Sequence, residues 1–409
     1  MGGGAMGYDE SGRGSSAEPS SGIPASVLEN VFDDPAHGEP GRDRLAVHLV
    51  WESLLLAGLG TLTYLLWRED PAALRGDGLR SLLLDAVVLG LLALAAALSL
   101  RTAAVNLALG PVAVAAALHM AEQGDRGAGG AVGPGLAVAA LAGLALALAV
   151  VVLHVPGWAA TLAGAAGVIV YVEQRSAPVL PQGDYDPGRD APYLFAGFAA
   201  VALLGGLFGA VRAVRRLVGR FRPVVDPARR RGVVAAVVTT GALVVSTVLA
   251  ALAGMLTATR DAGPVAPDVG LDWTVLAVGV ALLAGTSAYG RRGGVLGTLL
   301  AVCLVTVFLA YARARGWTVD RWAVGAGTLG VGLLVTRLVE AYGRPATGAP
   351  AEPRRPVDGP TGAGWSAPPA DPVGDWPPAV PTRSPESPVD PWNAPRWETG
   401  PRHWDAGDR

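Results

Sequence analysis

The chain has 409 residues, of which 51% are hydrophobic and 16% are charged, and its formal net charge is −2. All 32 basic residues are arginine, which excludes a Walker A nucleotide site and a lysine Schiff base, because both need a lysine side chain. The only cysteine, Cys303, excludes a disulfide within the chain and a cysteine metal site. The small net charge gives no electrostatic argument for nucleic acid. Long uncharged runs between about 46 and 341 are typical of a polytopic membrane protein.

Residues 1–45 are rich in glycine, serine, proline and acidic residues, so we expect a disordered acidic tail. The first apolar run begins too far along the chain for a secretory signal. Within the tail, Ser26-Val-Leu-Glu29 is a capping-box pattern that predicts a short helix over 26–33. Such a helix would lie on the membrane surface, dock on a partner or form only transiently, and the sequence leaves these alternatives open.

Ten apolar segments follow, each close to the roughly 20 residues that cross the hydrocarbon core as a helix. They predict an all-α polytopic membrane domain over 46–343 with about ten transmembrane helices: 46–67, 80–100, 102–121, 133–153, 157–173, 192–212, 232–256, 271–290, 293–312 and 322–341. The third segment contains Asn106 and Gly110-Pro111. We therefore expect it to be broken or partly re-entrant, with its non-helical backbone buried in protein or lining a cavity.

The distribution of arginine predicts the orientation of these segments. The loop 212–231 holds eight arginines and one acid, Asp226, and the positive-inside rule places such a loop in the cytoplasm. The loops 173–191 and 257–272 hold more acids than arginines and are expected outside. Ten spans then put both termini in the cytoplasm. We expect a multi-pass protein of the plasma membrane, in contact with the lipid bilayer.

Residues 344–409 change the composition again. They hold half of the 32 prolines and five of the 11 tryptophans. This composition predicts a Pro/Trp-rich disordered cytoplasmic tail. Because tryptophan is unusual in plain disorder, docking of the tail on a partner is the alternative interpretation.

A few polar groups lie within the apolar runs, where burial in lipid is costly. Asp85 either reaches the interface or has a functional role, and Asn106 on a broken segment is a candidate for contact with a substrate. His48 and Glu52 are one helical turn apart and are expected to pair. The sequence contains no arrangement typical of nucleophilic, acid–base or metal catalysis, so we expect neither an enzyme nor a cofactor.

Several motifs resemble one known family. The first two are Val105-Asn-Leu-Ala-Leu-Gly110 and His154-Val-Pro-Gly-Trp-Ala-Ala-Thr-Leu162. Others follow at Ala253-Gly-Met-Leu-Thr-Ala-Thr-Arg260, Pro267, Gly270-Leu-Asp272 and Gly285-Thr-Ser-Ala-Tyr-Gly-Arg-Arg-Gly-Gly-Val-Leu-Gly-Thr-Leu299. Over about 46–343, and most strongly near its end, the chain resembles the ribose/xylose-type permease subunits of ABC transporters, the branched group that includes amino-acid permeases.

This resemblance implies a permease that forms a translocation path and works as a homodimer or with a paired permease. It also implies an ATP-binding subunit inside and a solute-binding protein outside. The path would involve Asn106, Gly110, Pro111 and Asp85. Contact with the ATP-binding subunit would fall on a short cytoplasmic segment, with the candidates Asp226, Pro227, Arg229, Arg230 and Arg231.

Two departures from the family pattern matter. Asn106 stands where the family has an aspartate, and three consecutive arginines, 229–231, replace the small apolar residues of the family's coupling segment. Asp226 and Pro227 still supply a helix start. The leading interpretation is the permease of an importer for a sugar or similar small polar solute. The alternative is a non-transporting membrane scaffold, derived from such a permease, that presents two cytoplasmic tails.

Overall fold

The computed structural model describes residues 45–211, 214, 227–230, 232–260, 263–288 and 295–342. The acidic region up to residue 44, with the helix predicted over 26–33, lies outside this range. So does the Pro/Trp-rich region 344–409. The fold below is that of the membrane domain predicted over 46–343.

Within the described residues the structure is helical, with ten α-helices and an isolated β-bridge between Val179 and Val265. In chain order the helices are α1 (Leu45–Glu69), α2 (Gly76–Arg101), α3 (Leu109–Gln123), α4 (Gly127–Val151), α5 (Gly157–Glu173), α6 (Ala191–Ala210), α7 (Val233–Arg260), α8 (Leu271–Leu283), α9 (Gly297–Ala314) and α10 (Arg321–Tyr342). Single 3-10 turns lie at Pro71–Leu74, Gly124–Arg126 and Pro227–Arg229. Each of the ten predicted segments thus contains a helix.

Six of these helices are long and apolar enough to cross a membrane, judged by length and composition: α1, α2, α4, α6, α7 and α9. The chain is therefore a helical membrane protein with several spans. By contrast, α3, α5 and α8 have 15, 17 and 13 residues. At about 1.5 Å per residue they rise only about 22, 26 and 20 Å, less than the roughly 30 Å of the hydrocarbon core. Crossing by all ten segments stays a prediction.

The bounds predicted for the eighth and ninth segments, 271–290 and 293–312, differ from those of α8 and α9. Gly285 adopts a left-handed conformation with φ +88°. Its N–H donates to Leu282 O at 2.9 Å and Thr286 N–H donates to Ala281 O at 3.2 Å, which is the Schellman motif that ends a helix. The residues that follow this glycine are uncharged up to Arg291, so the sequence alone placed the helix end too late.

Small residues let the central helices pack closely. α7 contacts α2, α3 and α4. A Cβ on its Gly254 would lie 1.8 Å from Ala113 O of α3, and a Cβ on Gly279 of α8 would lie 2.3 Å from Thr328 Oγ1 of α10. Because lipid supplies no hydrophobic drive between helices, such close contact of backbones is what holds a bundle of this kind together.

Side-chain contacts define two ends of the bundle. At the first, which we call the Asp85 end, Asp85 of α2 pairs with Arg260 at the end of α7 and with Arg313 at the end of α9. At the second, which we call the Glu52 end, Glu52 of α1 binds the start of α9. The orientation predicted from arginine would make the Asp85 end external and the Glu52 end cytoplasmic.

Candidate functional site

The chain between α2 and α3 is non-helical at 102–108, within the third predicted segment. The predicted break is therefore present, and it includes Asn106. Gly110 and Pro111 do not form the break themselves but lie in the first turn of α3, where proline is well tolerated. Ala103 adopts φ +53°, a left-handed conformation that costs a non-glycine residue about 1–2 kcal/mol.

Asn106 is fully buried in this break, with 0% of its surface exposed. Its Nδ2 donates to Ser246 Oγ at 2.9 Å and to Thr247 Oγ1 at 3.1 Å, both on α7, and its Oδ1 accepts from Ala108 N at 3.0 Å. The two hydroxyls in turn donate to Leu243 O at 3.1 and 2.7 Å. They therefore present lone pairs to residue 106, an arrangement that suits an amide donor and not an aspartate carboxylate.

Side chains from two further helices satisfy the backbone around the break. Thr161 Oγ1 of α5 donates to Val105 O at 3.0 Å, and Gly110 N donates to Thr274 Oγ1 of α8 at 2.9 Å. A Cβ on Gly110 would lie 1.8 Å from Gly270 O, so only glycine fits there. The non-helical backbone is thus buried in protein, as a break at membrane depth requires.

The segment before α7 also contacts the break. Pro227–Arg229 form a 3-10 turn in which Pro227 and Ala228 are buried. Arg230 Nη1 donates to Thr102 O at 2.7 Å, so this segment touches the point where α2 ends. Asp226 and Arg231, the other candidates for contact with an ATP-binding subunit, lie outside the described residues.

At the same end, α1 joins α8 to α9. Trp51 Nε1 donates to Leu283 O at 2.7 Å, at the last residue of α8. Glu52 Oε1 accepts from Leu296 N at 2.7 Å and Gly297 N at 3.0 Å, at the start of α9. The sequence led us to expect Glu52 to pair with His48, and its capping of α9 was missed. The cost of a carboxylate in an apolar run pointed to a buried partner, but not to a helix start 244 positions away.

A cavity of about 240 Å³ opens at the Asp85 end. Asp85 lines it together with Arg260, Arg313 and Arg321. Asp85 Oδ1 pairs with Arg260, and its Oδ2 accepts from Arg313 Nη2 at 3.0 Å. Of the residues predicted for a substrate path, Asp85 lies at this cavity. Arg260 was named only as the last residue of a family motif, and Arg313 and Arg321 were not predicted as site residues.

A second cavity of about 380 Å³ lies beside the first. The two cavities share Thr257, Trp273 and Arg321 as lining residues. The Arg321 guanidinium lies 4.5 Å from the centre of the Trp273 ring, and its Nη1 lies 2.9 Å from Asp272 Oδ2. Arg321 and Trp273 therefore form the partition between the cavities. Asn106, Gly110 and Pro111 line neither cavity, and a substrate role for them stays a prediction.

Loops cover the second cavity. Residues 263–266 line it, and Val265 exchanges two backbone hydrogen bonds of 2.8 and 2.9 Å with Val179. The loops 173–191 and 257–272 thus lie at the same end, as the predicted topology requires. Arg175 anchors the first loop to α3, because its Nε donates to Glu122 Oε1 at 2.6 Å and its Nη2 to Oε2 at 3.0 Å. These bonds hold the pKa of Glu122 below its ordinary value.

Comparison of the chain with protein-family models, with curated proteins and with solved structures finds no match.

Proposed function

We propose that this chain is the membrane permease subunit of an ABC importer for a sugar or similar small polar solute. It forms the translocation path and performs no covalent chemistry, and an ATP-binding subunit and a solute-binding protein supply the energy and the solute. The resemblance of the sequence motifs suggests this class. The proposal rests on one structural observation: a buried break, bound by side chains of α5, α7 and α8, in a bundle whose Asp85 end opens into two cavities with charged residues in their walls.

A buried break of this kind is more than a packing feature. Irregular backbone at membrane depth needs partners for its lost helical hydrogen bonds. Here Thr161 of α5 and Thr274 of α8 bind backbone groups around the break, and α7 binds the side chain of Asn106. Transporters commonly use broken helices of this kind near their substrate sites. A conformational change at the break would therefore alter its contacts with α5, α7 and α8 together.

We propose that the contact between Arg230 and Thr102 couples the motion of an ATP-binding subunit to the break. The bond of 2.7 Å joins the segment at 227–230 to the end of α2. If an ATP-binding subunit moves this segment, the motion reaches the break directly. Acids on the partner's groove would offset the positive charge that residues 229–231 bring to this contact, because burying charge without a counter-charge is costly. With this orientation the segment and both termini are cytoplasmic, in the plasma membrane, and a homodimer or a paired permease completes the path.

Co-purification in mild detergent tests the proposal. The wild-type chain is expected to recover an ATP-binding subunit, and the variant Arg229/Arg230/Arg231→Ala is expected to lose it. The matched control is Arg212/Arg215/Arg216→Ala, which removes the same charge from the same loop and should retain the subunit. If the wild type recovers no ATP-binding subunit, the permease assignment is wrong and the scaffold interpretation replaces it.

Reporter fusions test the orientation separately. A cytoplasmic reporter should be active at position 220 and a periplasmic-type reporter at Asp184, because the arginine-rich loop stays inside. The reverse result at position 220 would contradict the predicted topology.

A further inference from the structure

A short connecting segment forms part of the outer wall of the cavity at the Asp85 end. Residues 315–320 join α9 to α10, and five of these six residues are exposed, whereas Val319 is half-buried. Trp317 and Val319 nevertheless line the cavity. The segment therefore lies between the cavity and the outside of the protein. We call residues 315–321, which include the first residue of α10, the strap.

The first end of the strap is fixed to α9. Gly316 adopts a left-handed conformation with φ +69°, and Trp317 N–H donates to Ala312 O at 2.9 Å, which ends α9 in a Schellman motif. The rings of Trp317 and Tyr311 are in edge-to-face contact, with their centres 5.9 Å apart. Glycine is conformationally permissive, so the backbone of the strap can pivot at Gly316.

Arg321 fastens the other end of the strap to α8. Its Nη1 lies 2.9 Å from Asp272 Oδ2, and its guanidinium lies 4.5 Å from the centre of the Trp273 ring. The Asp272 side chain is only 10% exposed, so water screens this ion pair less than it screens a surface pair. Close packing of α10 on α8 begins at Gly325, where a Cβ would lie 3.1 Å from Val275 Cγ1. Ahead of that contact, Arg321 holds the strap against α8.

The same side chain also separates the two cavities. Arg321 and Trp273 line both the cavity of about 240 Å³ and its neighbour of about 380 Å³. Movement of Arg321 away from Asp272 would release the end of the strap and remove part of the partition in one step. The two cavities would then form one continuous space, of a size within the range of about 300–1,000 Å³ that is common for small-molecule pockets.

We propose that the strap is a lid, which Arg321 latches onto Asp272 and Trp273. Release of the latch uncovers the cavity at the Asp85 end and joins it to its neighbour. This device goes beyond the proposed function, because it controls access from the Asp85 end and operates without an ATP-binding subunit. Failure of the lid therefore leaves the importer standing, and loss of the ATP-binding subunit in co-purification leaves the lid standing.

Thiol labelling of the purified full-length chain in nanodiscs tests the lid. Thr257→Cys, in a Cys303→Ser background, places a reporter thiol in the wall that the two cavities share. The probe is an uncharged maleimide that carries a bulky group. We expect Arg321→Gln and Asp272→Asn each to raise the labelling rate tenfold or more, because each variant breaks the latch. If one of the two does not fold, the other still tests the proposal.

The two variants also separate the lid from an electrostatic effect on the thiol. The thiolate is the reactive form, and loss of a nearby cation disfavours it whereas loss of a nearby anion favours it. Electrostatics alone therefore changes the two rates in opposite directions, whereas release of the latch raises both. Rates that change in opposite directions, or that stay unchanged in both variants, overturn the lid.

Two controls complete the experiment. Arg189→Gln breaks an exposed pair with Asp186 and lines neither cavity, so it should keep the labelling rate of the parent protein. A second reporter, Ala165→Cys, is buried in α5 and should stay inert in both latch variants. Equal acceleration at position 165 would show a general loosening of the bundle and would refute the latch.

Discussion

Glu52 on α1 caps α9: its Oε1 accepts hydrogen bonds from the backbone N–H groups of Leu296 and Gly297. The neighbouring Trp51 binds Leu283 O at the end of α8. One turn of α1 thus holds both helix ends that border the link 284–296. An acid at a helix start satisfies free N–H groups and interacts favourably with the helix dipole.

Replacing this cap should destabilise the bundle. Glu52→Ala leaves the N–H groups of Leu296 and Gly297 without their acceptor, and the bond to Gly297 is buried, so we expect the free energy of unfolding to fall by about 1–3 kcal/mol. Chemical denaturation in detergent measures it. The matched control is Glu69→Ala at the other end of α1, where Glu69 forms a partly exposed pair with Arg315, and a change below about 1 kcal/mol is expected. Equal losses in both variants would contradict the capping role.

The contact between α3 and α8 should tolerate no side chain. Gly110→Ala places a Cβ 1.8 Å from Gly270 O, so the two backbones must separate, at a cost of about 1–3 kcal/mol or more. The control is Gly241→Ala on α7, where a Cβ meets nothing within 4 Å, and which should be neutral or slightly stabilising. Thermal unfolding of the two variants checks this, and an unchanged melting temperature for Gly110→Ala would refute the close contact.

Replacing the amide of Asn106 with a carboxylate should destabilise the protein. Asn106→Asp replaces two donated hydrogen bonds with acceptors that face Ser246 and Thr247, whose hydroxyl protons already bind Leu243 O. We expect a loss of about 1–3 kcal/mol in unfolding free energy. Ser246→Ala, which leaves the bond to Thr247, should cost less. If the Asn106→Asp variant is as stable as the wild type, the hydroxyls reorient freely and the preference for an amide is refuted.

Much of the fold follows from hydropathy, because a run of about 20 apolar residues has few alternatives to a helix. All ten segments contain one. Hydropathy does not decide where the chain turns within such a run, which is why α8 ends at Leu283, ahead of the turn at Gly285, and not at residue 290. The glycine was visible, but its left-handed conformation depends on the hydrogen bonds that follow it.

The candidate site was only partly predictable. A polar residue before Gly-Pro indicated the break at Asn106, since those residues do not suit the interior of a membrane helix. The charged cavity could not be predicted, because Asp85, inside α2, and Arg313, in the last turn of α9, are 228 positions apart. Their pairing depends on the packing of α2 against α9.

The loop anchor at Glu122 should weaken in acid. Arg175 lowers the pKa of Glu122 from its ordinary value of 4.5 in the folded protein. The stabilisation is therefore present above the unfolded pKa and is lost as the pH falls through the lower folded pKa. Glu122→Gln should be less stable than the wild type by up to about 1 kcal/mol at pH 7, with no difference well below pH 4.5. Thermal unfolding of the wild type and of Glu122→Gln, at pH 7 and at a pH well below 4.5, measures this difference in stability. A stability difference that increases as the pH falls would contradict this prediction.

The central claim is that an ATP-driven motion at residues 227–230 opens the break at Asn106. The direct measurement is the reactivity of Asn106→Cys, in a Cys303→Ser background, towards a water-soluble thiol reagent in a complex with the proposed ATP-binding subunit. Asn106 is fully buried in this structure, so the thiol should be inert in one nucleotide state and reactive in another. Ala165→Cys, also buried but away from the break, is the control and should stay inert. The account predicts that Arg230→Met abolishes the response at 106, and a thiol inert in every nucleotide state would contradict it.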